Sequence, residues 1–584
     1  MKRITVFLSV LAALFTACKH GDEPLKGRDM VVYGKIYTAE LDASGAPVMA
    51  DAMVIKDGKY VYVGDKAGAQ TYITKNMKVV EHSQGLVMPS CTDGHAHYLY
   101  SFTGDRIGIA FTDEDGKTEI LNKVARAAQG EGNYIFGFGW ELSNLIGDTV
   151  TRQDLDAICP DKAVFLNDSE VHKALVNTRC LVEAGILSED GKVLVDSIVG
   201  GKIEMDKEGM PTGFLSEQAN TYVRAHVPGF GNLVTDAVAR QAVERTQQFL
   251  LSEGYTAYMD GWSNQWYNDI YYRTLCAMDK EGLLSFNIGL AYEIESWAYE
   301  EIDSQIKTAV NYRQKYSSKH VFPRYVKLFM DGTVESGTGY INGEYKSVFS
   351  GSGNGIVNWE QEQASDITAR ANSENLTMHV HAMGDAAVHR ALEAYVRSGN
   401  DKLRNTLVHV RNISLDKIQQ VKDRNIPIDM GVLWHAIPDE VLPLLDECLP
   451  SHIAKQAYPM RSFMDKGVNG VAHTDYPATA GSLSDPFGAM EIMVTGRKPD
   501  PAKYITPWQP GELLSREQAL RALTVNGARQ LFMEEERGSV KVGKYADFLL
   551  VSKDVLDEAA CPDNQIHTAQ VIATYFEGKK VYSK

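Results

Sequence analysis

Apolar and polar positions divide the chain into two β-rich ends and a long middle in which strands and helices alternate. Short β-rich runs fill residues 29–80, where Asp57-Gly58 between two such runs predicts a hairpin. The C-terminal end repeats this style in residues 538–540, 546–551 and 571–576. Two β-rich ends around an α/β middle predict that the termini meet in one small sheet domain.

The middle contains eight apolar runs that have the length and composition of strands. They are residues 90–97, 255–260, 286–291, 325–331, 376–381, 406–410, 426–430 and 468–475. Helical patterns such as 237–251 and 386–396 separate several of them. Eight strands with crossover helices predict a (β/α)₈ TIM barrel. An α/β alternation of another order is the alternative.

A long interval follows the first predicted barrel strand. About 150 residues separate it from the second strand, whereas a crossover needs only about a dozen or more. This interval is therefore predicted to be an insertion with its own structure. Because loops at the carboxyl ends of barrel strands surround the active site, the insertion is expected to form a lid or a substrate wall.

The first residues have the pattern of a bacterial lipoprotein signal. Lys2-Arg3 precedes a short apolar run that ends in Thr16-Ala17-Cys18, and the run is too short for an ordinary spanning helix. Cys18 would be the lipidated first residue of an exported, membrane-anchored protein on the periplasmic side or the cell surface. An ordinary cleaved signal in which Cys18 is incidental is the alternative.

These patterns predict four regions in the chain. The regions are a signal and tether (1–26), a composite β-sandwich (27–86 and 536–584), a barrel (87–535) and, inside the barrel, an insertion (98–230).

Charge and cysteine usage limit the classes of partner. The net charge of -17 argues against nucleic acid, whose phosphates require a basic surface. Six cysteines beyond Cys18 are scattered with no C-x-x-C pair, which argues against a thiolate metal site. An exported location permits disulfides, but the sequence does not say which cysteines pair. It also leaves open whether identical chains form a homo-oligomer.

Two histidines at the end of the first barrel strand are the first candidate metal ligands. His95 and His97 share one face of the strand because alternate side chains point the same way. Imidazoles so placed can converge on one metal ion. Exposed or hydrogen-bonded histidines are the alternative reading of this pair.

Other predicted strands also end in metal-binding residue types. His381, His409 and Asp475 stand at the ends of the fifth, sixth and eighth strands, and Lys327 lies inside the apolar run of the fourth. A buried lysine requires a partner or a neutral state. It either forms a salt bridge or takes up CO₂ as a carbamate that bridges two metals. A two-metal hydrolytic site accounts for the whole set.

Several motifs together resemble those of a known enzyme family. They are P-x-x-x-D-x-H-x-H at residues 89–97 and the segments 137–140, 326–332, 381–385, 475–477 and 526–529. The chain resembles the amidohydrolase superfamily of metal-dependent hydrolases, in particular its N-substituted formamide deformylase-like branch. The resemblance covers nearly everything after the signal.

The resemblance implies a role for each candidate ligand. His95 and His97 would bind the more buried of two divalent metal ions, which we expect to be zinc. Lys327, carboxylated by CO₂, would bridge both ions. His381 and His409 would hold the second, and Asp475 would contact a metal and act as general base.

Departures from the branch concern the residues around the substrate. Relatives often carry Asp-Gly-His where this chain has Glu170-Val171-His172, a Glu at Val408, and Gly-Ser-Asp at 473–475. His172 is the leading candidate for a catalytic, substrate-contacting residue, and a solvated loop histidine is the alternative. Tyr98, Trp140 and Glu217 are further candidates for the substrate pocket.

The expected reaction is hydrolysis of a C–N bond in a small amide, N-acyl or formamide-type compound. The nucleophile would be a metal-activated hydroxide, with Asp475 as general base. A cyclic-amide or ester hydrolase that uses the same centre is one alternative. A lipoprotein that keeps the barrel only to bind a ligand is the other.

Overall fold

The computed structural model describes residues 28–112, 114–145, 147–169, 171–263, 269–439, 441–478, 484–499 and 502–584. Residues 1–27, which include the predicted signal and Cys18, lie outside the described residues, as does Glu170. The strands, numbered in chain order, are β1 Met30–Leu41, β2 Pro47–Lys56, β3 Lys59–Gly64, β4 Lys78–Pro89, β5 Cys91–Ala96, β6 Ile109–Ala110, β7 Tyr134–Trp140, β8 Ala163–Asp168, β9 Lys173–Val176, β10 Gly201–Met205, β11 Pro211–Glu217, β12 Tyr255–Ser263, β13 Asn287–Glu293, β14 Val321–Phe329, β15 Thr377–Ala382, β16 Thr406–His409, β17 Ile428–Gly431, β18 Gly470–His473, β19 Phe548–Val551, β20 Val571–Phe576 and β21 Lys579–Ser583.

The α-helices, numbered in the same way, are α1 Lys66–Ala69, α2 Tyr98–Ile107, α3 Lys117–Ala128, α4 Arg152–Ile158, α5 Thr178–Glu183, α6 Gln218–His226, α7 Pro228–Gly231, α8 Asp236–Glu253, α9 Ile270–Lys280, α10 Ile302–Tyr316, α11 Gln361–Ser373, α12 Asp385–Ser398, α13 Ile418–Asp423, α14 Leu442–Cys448, α15 Ser451–Ala454, α16 Met460–Asp465, α17 Pro486–Thr495, α18 Arg516–Leu523 and α19 Val525–Gln530.

The central sheet is a barrel of parallel strands. Its eight strands run in the order β18-β17-β16-β15-β14-β13-β12-β5, and each pair of neighbours in this order is parallel. Two backbone hydrogen bonds join the ends, from Asp475 N to His95 O (2.9 Å) and from His97 N to Tyr476 O (2.8 Å). The predicted TIM barrel is therefore confirmed, with all carboxyl ends at one mouth.

The two chain ends form the predicted β-sandwich. Seven strands run in the order β21-β20-β19-β4-β1-β2-β3, so the C-terminal strands meet the N-terminal ones where β19 pairs with β4. Val32 and Met53 from one half share a buried core with Phe548 and Tyr575 from the other. β4 then passes into β5 after a single residue, Ser90, which couples the sandwich to the first barrel strand.

The segment between β5 and β12 builds a third sheet. Six strands run in the order β10-β11-β9-β8-β7-β6. This sheet has its own apolar core, which includes Trp140, Val164 and Leu166. β11 ends at Glu217, and α6 begins at the next residue. The insertion is thus a folded unit that delivers α6 to the mouth of the barrel.

Two further features concern membranes and cysteines. Across the described residues, every helix is too short or too polar to cross a membrane. The six described cysteines are buried and none forms a disulfide: Cys91, Cys159, Cys180, Cys276, Cys448 and Cys561.

A buried ionic cluster fastens the sandwich to the amino-terminal side of the barrel. Glu577, in the turn after β20, contacts Arg537 Nη2 at 2.6 Å and His320 Nε2 at 3.1 Å. His320 Nδ1 also contacts Asp279 on α9 at 2.6 Å. Burial opposes the charged form of His320, but hydrogen bonds to Asp279 and Glu577 outweigh burial and raise its pKa. Protonated His320 therefore joins two carboxylates from different parts of the chain.

Replacing His320 should destabilise the fold most at low pH. A raised folded pKa means that the stabilisation is complete below the unfolded pKa of about 6.5 and disappears as pH rises through the folded value. His320→Gln should lower the free energy of unfolding by about 1–3 kcal/mol at pH 6 and by less at pH 9. The pKa values of Asp279 and Glu577 are lowered, so both remain ionised across this window. Denaturation at each pH measures the effect.

His226→Gln is the matched control, because His226 is an exposed histidine on α6. This substitution should change the free energy of unfolding little at either pH. An equal loss for His320→Gln at pH 6 and pH 9 would contradict the charged role of His320.

Candidate metal centre

The barrel strands bring the predicted ligands to one mouth. β5, β14, β15, β16 and β18 carry them at or just beyond their carboxyl ends. Strand register places Lys327 beside His379, Phe329 beside His381, and Ala382 beside His409. The candidates that the structure groups in this region are His95, His97, Lys327, His381, His409 and Asp475.

Asp475 lies at the meeting point of the two β5 histidines. Its Oδ1 is 3.1 Å from His97 Nε2 and 3.4 Å from His95 Nε2. One ligand atom from each of these three residues lies within 4.8 Å of the others. Lys327 Nζ is 3.4 Å from the same His95 Nε2. Nitrogen and carboxylate oxygen converge here in a combination that suits zinc and similar divalent ions.

His381 and His409 form a second pair of donors beside the first. Their ring centroids are 4.6 Å apart, and His409 lies 5.1 Å from His95. His409 Nδ1 is buried and has no hydrogen-bond partner among the residues that the structure describes. A buried, unpartnered imidazole nitrogen is costly unless something binds it. The donor set therefore fits a divalent metal ion, which these residues would hold.

Burial sets the protonation of the histidines. It lowers the pKa of His95, His381 and His409 well below the ordinary value, and Lys327 acts in the same direction on each. Neutral imidazole is the form that coordinates a metal. The fold thus holds these side chains in their binding form.

Burial acts on Lys327 and Asp475 with different results. It lowers the pKa of Lys327 to about 8, although several carboxylates oppose this shift. For Asp475, burial favours the neutral form, but the hydrogen bond from His97 and nearby positive charge outweigh burial and lower the pKa to about 2. At neutral pH, Asp475 is an anion and Lys327 has an appreciable neutral fraction.

His379 fixes the orientation of His95 from the next strand. The two rings stack, with His379 Nε2 at 2.7 Å from His95 Nδ1. Because Nδ1 of His95 is engaged there, its Nε2 faces Asp475 and Lys327. A partner on the far nitrogen is what orients a ligating histidine.

Strained backbone accompanies the site residues. His409 has φ 72°, Val410 φ 40° and Asp475 φ 52°. Positive φ is uncommon outside glycine and costs about 1–3 kcal/mol where structure enforces it. In the insertion, Glu217 adopts φ 53° and Val171 φ 65°. Five of the non-glycine residues with positive φ are therefore site residues or their immediate neighbours, and others lie elsewhere in the chain.

A cavity of about 50 Å³ lies above the ligands. Barrel residues form its floor, and the insertion forms one wall. The lining residues are His97, Val171, His172, Glu217, Gln218, Thr221, Arg224, Trp262, Phe329, His381, His409, Asp475, Pro477 and Ala478.

The predicted pocket residues His172 and Glu217 form a pair in the cavity wall. His172 Nδ1 is 2.7 Å from Glu217 Oε2, and Glu217 Oε1 accepts a hydrogen bond from Thr338 Oγ1 at 2.9 Å. The His172 ring lies 5.5 Å from that of His381. Glu217 therefore orients His172 beside the pair formed by His381 and His409.

The structure places Tyr98 and Trp140 elsewhere. Tyr98 is buried behind β5 and donates to Asp93 Oδ2 at 2.8 Å. Trp140 packs in the core of the insertion and donates to the Leu166 carbonyl at 2.9 Å. Neither is among the described residues that line the cavity. Each aromatic ring packs in a hydrophobic core instead.

Several lining residues were not anticipated from the sequence. Among them, Trp262 and Phe329 lie at the carboxyl ends of β12 and β14, and Arg224 lies on α6. The sequence contained only a weak indication that Arg224 would reach the pocket. Arg224 follows Thr221 by three residues and Gln218 by six, a spacing that puts them near one helix face.

Comparison with known proteins matches this architecture. The profile of the amidohydrolase family matches residues 78–582, which is most of the chain. The chain belongs to the amidohydrolase family. Family membership and the donor cluster together make it a metal-dependent hydrolase.

Individual members of the family are distant relatives. The chain is 25% identical to the protein LONG AFTER FAR-RED 3 of Arabidopsis thaliana, over 95% of this chain and 91% of that protein. It is 22% identical to the N-substituted formamide deformylase of Arthrobacter pascens, over 92% and 95%. A metal-dependent hydrolase from Pyrococcus horikoshii has the same fold, with TM-score 0.68 and 22% identity over 90% of this chain and 98% of that one.

Proposed function

We propose that this amidohydrolase cleaves a C–N bond in a small amide, N-acyl or formamide-type compound. The observation that supports it most is the position of Asp475. Its carboxylate contacts both β5 histidines and lines the cavity. A group so placed reaches both a metal ligand set and a bound substrate. The name of the Arthrobacter relative, a formamide deformylase, supports the same bond class.

Two divalent metals, which we propose to be zinc, would be held by His95, His97, His381, His409, Asp475 and carboxylated Lys327. When bound, such ions lower the pKa of water toward about 7 and polarise a substrate carbonyl. The neutral state of the histidines and the N/O donor set support this assignment.

Asp475 performs the proton transfers in this proposal. It is ionised at neutral pH, so it can accept a proton from the attacking water. An amide nitrogen leaves poorly as an anion, so the proton must then pass to that nitrogen. His172, oriented by Glu217, contacts the substrate from the insertion side.

Asp475→Asn should abolish this transfer while keeping the shape of the side chain. We expect kcat to fall about 10²- to 10⁴-fold on a panel of N-formyl and N-acyl compounds, with product amine as the readout. Asp416→Asn, at an exposed aspartate, is the control and should retain activity. A mutant with full activity would remove Asp475 from the mechanism.

Adding cyclic amides and esters to the panel separates the alternatives. Ring opening or alcohol release without amine release would indicate a cyclic-amide or ester hydrolase. A protein that binds no metal and gains no hydrolysis when metal is added would be a ligand-binding lipoprotein instead.

Carboxylation of Lys327 is the second part of the proposal. Its neutral amine would add CO₂ to form an N–C bond and release one proton, which leaves an anionic carbamate between the metals. Complete burial and a pKa lowered to about 8 support this reaction, since the neutral amine is the reactive form. A carbamate would also supply negative charge among neutral histidines.

Metal uptake should therefore depend on bicarbonate. Metal-free protein given zinc in CO₂-depleted buffer should bind less zinc than the same protein given bicarbonate, as measured by elemental analysis. Lys327→Gln should show no bicarbonate dependence. Equal zinc uptake by the unaltered protein in both buffers would count against the carbamate.

We also propose that the protein is exported and anchored by a lipid on Cys18. Support comes from the signal pattern of residues 1–18, and one lipid-modified cysteine would keep the hydrolase at a membrane. Cys18→Ser should release the protein from the membrane fraction and abolish incorporation of a tagged fatty acid. Unchanged fractionation and labelling would refute the anchor.

A further inference from the structure

One face of α6 forms the side of the cavity opposite the ligand floor. Gln218, Thr221 and Arg224 recur at intervals of three residues, so they lie near one face of the helix. All three are buried and line the cavity. Thr221 Oγ1 donates to the Gln218 carbonyl and side chain at 3.0 and 3.2 Å. Arg224 is the residue on this face that carries a permanent charge.

Arg224 is buried with part of its hydrogen-bonding capacity unused. Its exposed fraction is 2%. Nε and Nη1 have no hydrogen-bond partner among the residues that the structure describes. A guanidinium carries five N–H donors in a fixed fork and stays charged at any physiological pH. Burying such a group is costly unless an anion binds it.

Aromatic rings hold the guanidinium in place. Its Cζ lies 4.5 Å from the Trp262 ring and 6.0 Å from the Phe165 ring, where cation–π attraction acts. Trp262 also meets His97 edge-on, with ring centroids 5.9 Å apart. One indole ring therefore separates Arg224 from a candidate metal ligand.

Two buried carboxyl groups, those of Glu293 and Glu295, lie near Arg224. Glu293 and Glu295 act on it electrostatically, and Glu293 accepts a hydrogen bond from Trp262 Nε1 at 2.6 Å. Burial raises the pKa of both groups, and for Glu295 the charge of Glu293 adds to this rise. No described carboxyl group accepts a hydrogen bond from Arg224 Nε or Nη1. An anion in the cavity that Arg224 lines would supply such a partner.

We propose that Arg224 binds a carboxylate of the substrate, so that the substrate class is N-acylated amino acids and similar amides that carry a carboxylate. Hydrolysis adds water across the C–N bond and yields a carboxylic acid and an amino acid. The short span between Arg224 and His97, across Trp262 alone, suits a carboxylate close to the scissile nitrogen. The inference rests on the proposed amide hydrolysis and adds the charge of the substrate to it.

Matched substrate pairs test the proposal directly. Each pair is an N-acetylated or N-formylated amino acid and the same compound with a carboxamide in place of the carboxylate. The metal-loaded full chain should prefer the carboxylate, mainly through KM. Arg224→Gln should lower kcat/KM for the carboxylate about 30-fold or more, as expected for loss of a buried charge partner, and change the carboxamide less than about 3-fold.

Two further variants control for folding and for charge alone. Arg224→Lys keeps the charge without the fork and should recover part of the preference. Arg245→Gln removes an exposed arginine that stacks on Phe102 at 5.4 Å and should leave both substrates unaffected. Equal turnover of both members by the unaltered protein, or equal losses for both in Arg224→Gln, would overturn the proposal.

Binding separates this inference from the proposed reaction. If no amide in the panel is hydrolysed, the proposed function fails, and titration calorimetry with benzoate and benzamide decides the role of Arg224. Benzoate binding that exceeds benzamide binding and is lost in Arg224→Gln would sustain an anion site. Equal or absent binding of the two probes would refute it.

Discussion

The closure of the barrel is the constraint on which the site depends. Asp475 N donates to His95 O, and His97 N donates to Tyr476 O, so the first and last strands are locked at the residues that carry the ligands. Because these bonds are made by the backbone, the Asp475 carboxylate is held against both β5 imidazoles whatever occupies the cavity. Positive φ at Asp475 is the local cost of this geometry. Three of the candidate ligands, His95, His97 and Asp475, thus take part in the backbone hydrogen bonds that close the barrel.

Burial then turns that geometry into a chemical environment. Low solvation keeps the histidines neutral and favours the neutral amine of Lys327. Asp475 differs, because close imidazoles and Lys327 compensate its burial and keep it ionised. An anion beside neutral imidazoles attracts a cation. The far nitrogen of His95 is engaged by His379 within the same buried region.

The sequence predicted the barrel and the set of strand-end donors because both are local signals. Each apolar run is a strand, and each donor stands where its strand stops, so topology alone brings His381 and Asp475 to one mouth. Pocket residues were harder to predict. Trp140 and Tyr98 were proposed from their position in the chain, yet each packs into a core. Arg224 was missed because its place depends on how the insertion docks over the barrel, which no local pattern encodes.

The barrel and the insertion therefore contribute different parts of the site. The barrel holds the ligands through paired strands, whereas α6 and the His172–Glu217 pair reach the cavity from a separately folded sheet. Changes on α6 can alter which substrate fits without disturbing the backbone bonds that position Asp475. Distant relatives can thus share the ligand floor and differ in substrate. For this chain, the wall contains a buried guanidinium with unpartnered donors, so the proposed preference for a negatively charged substrate would be set by the insertion rather than by the barrel mouth.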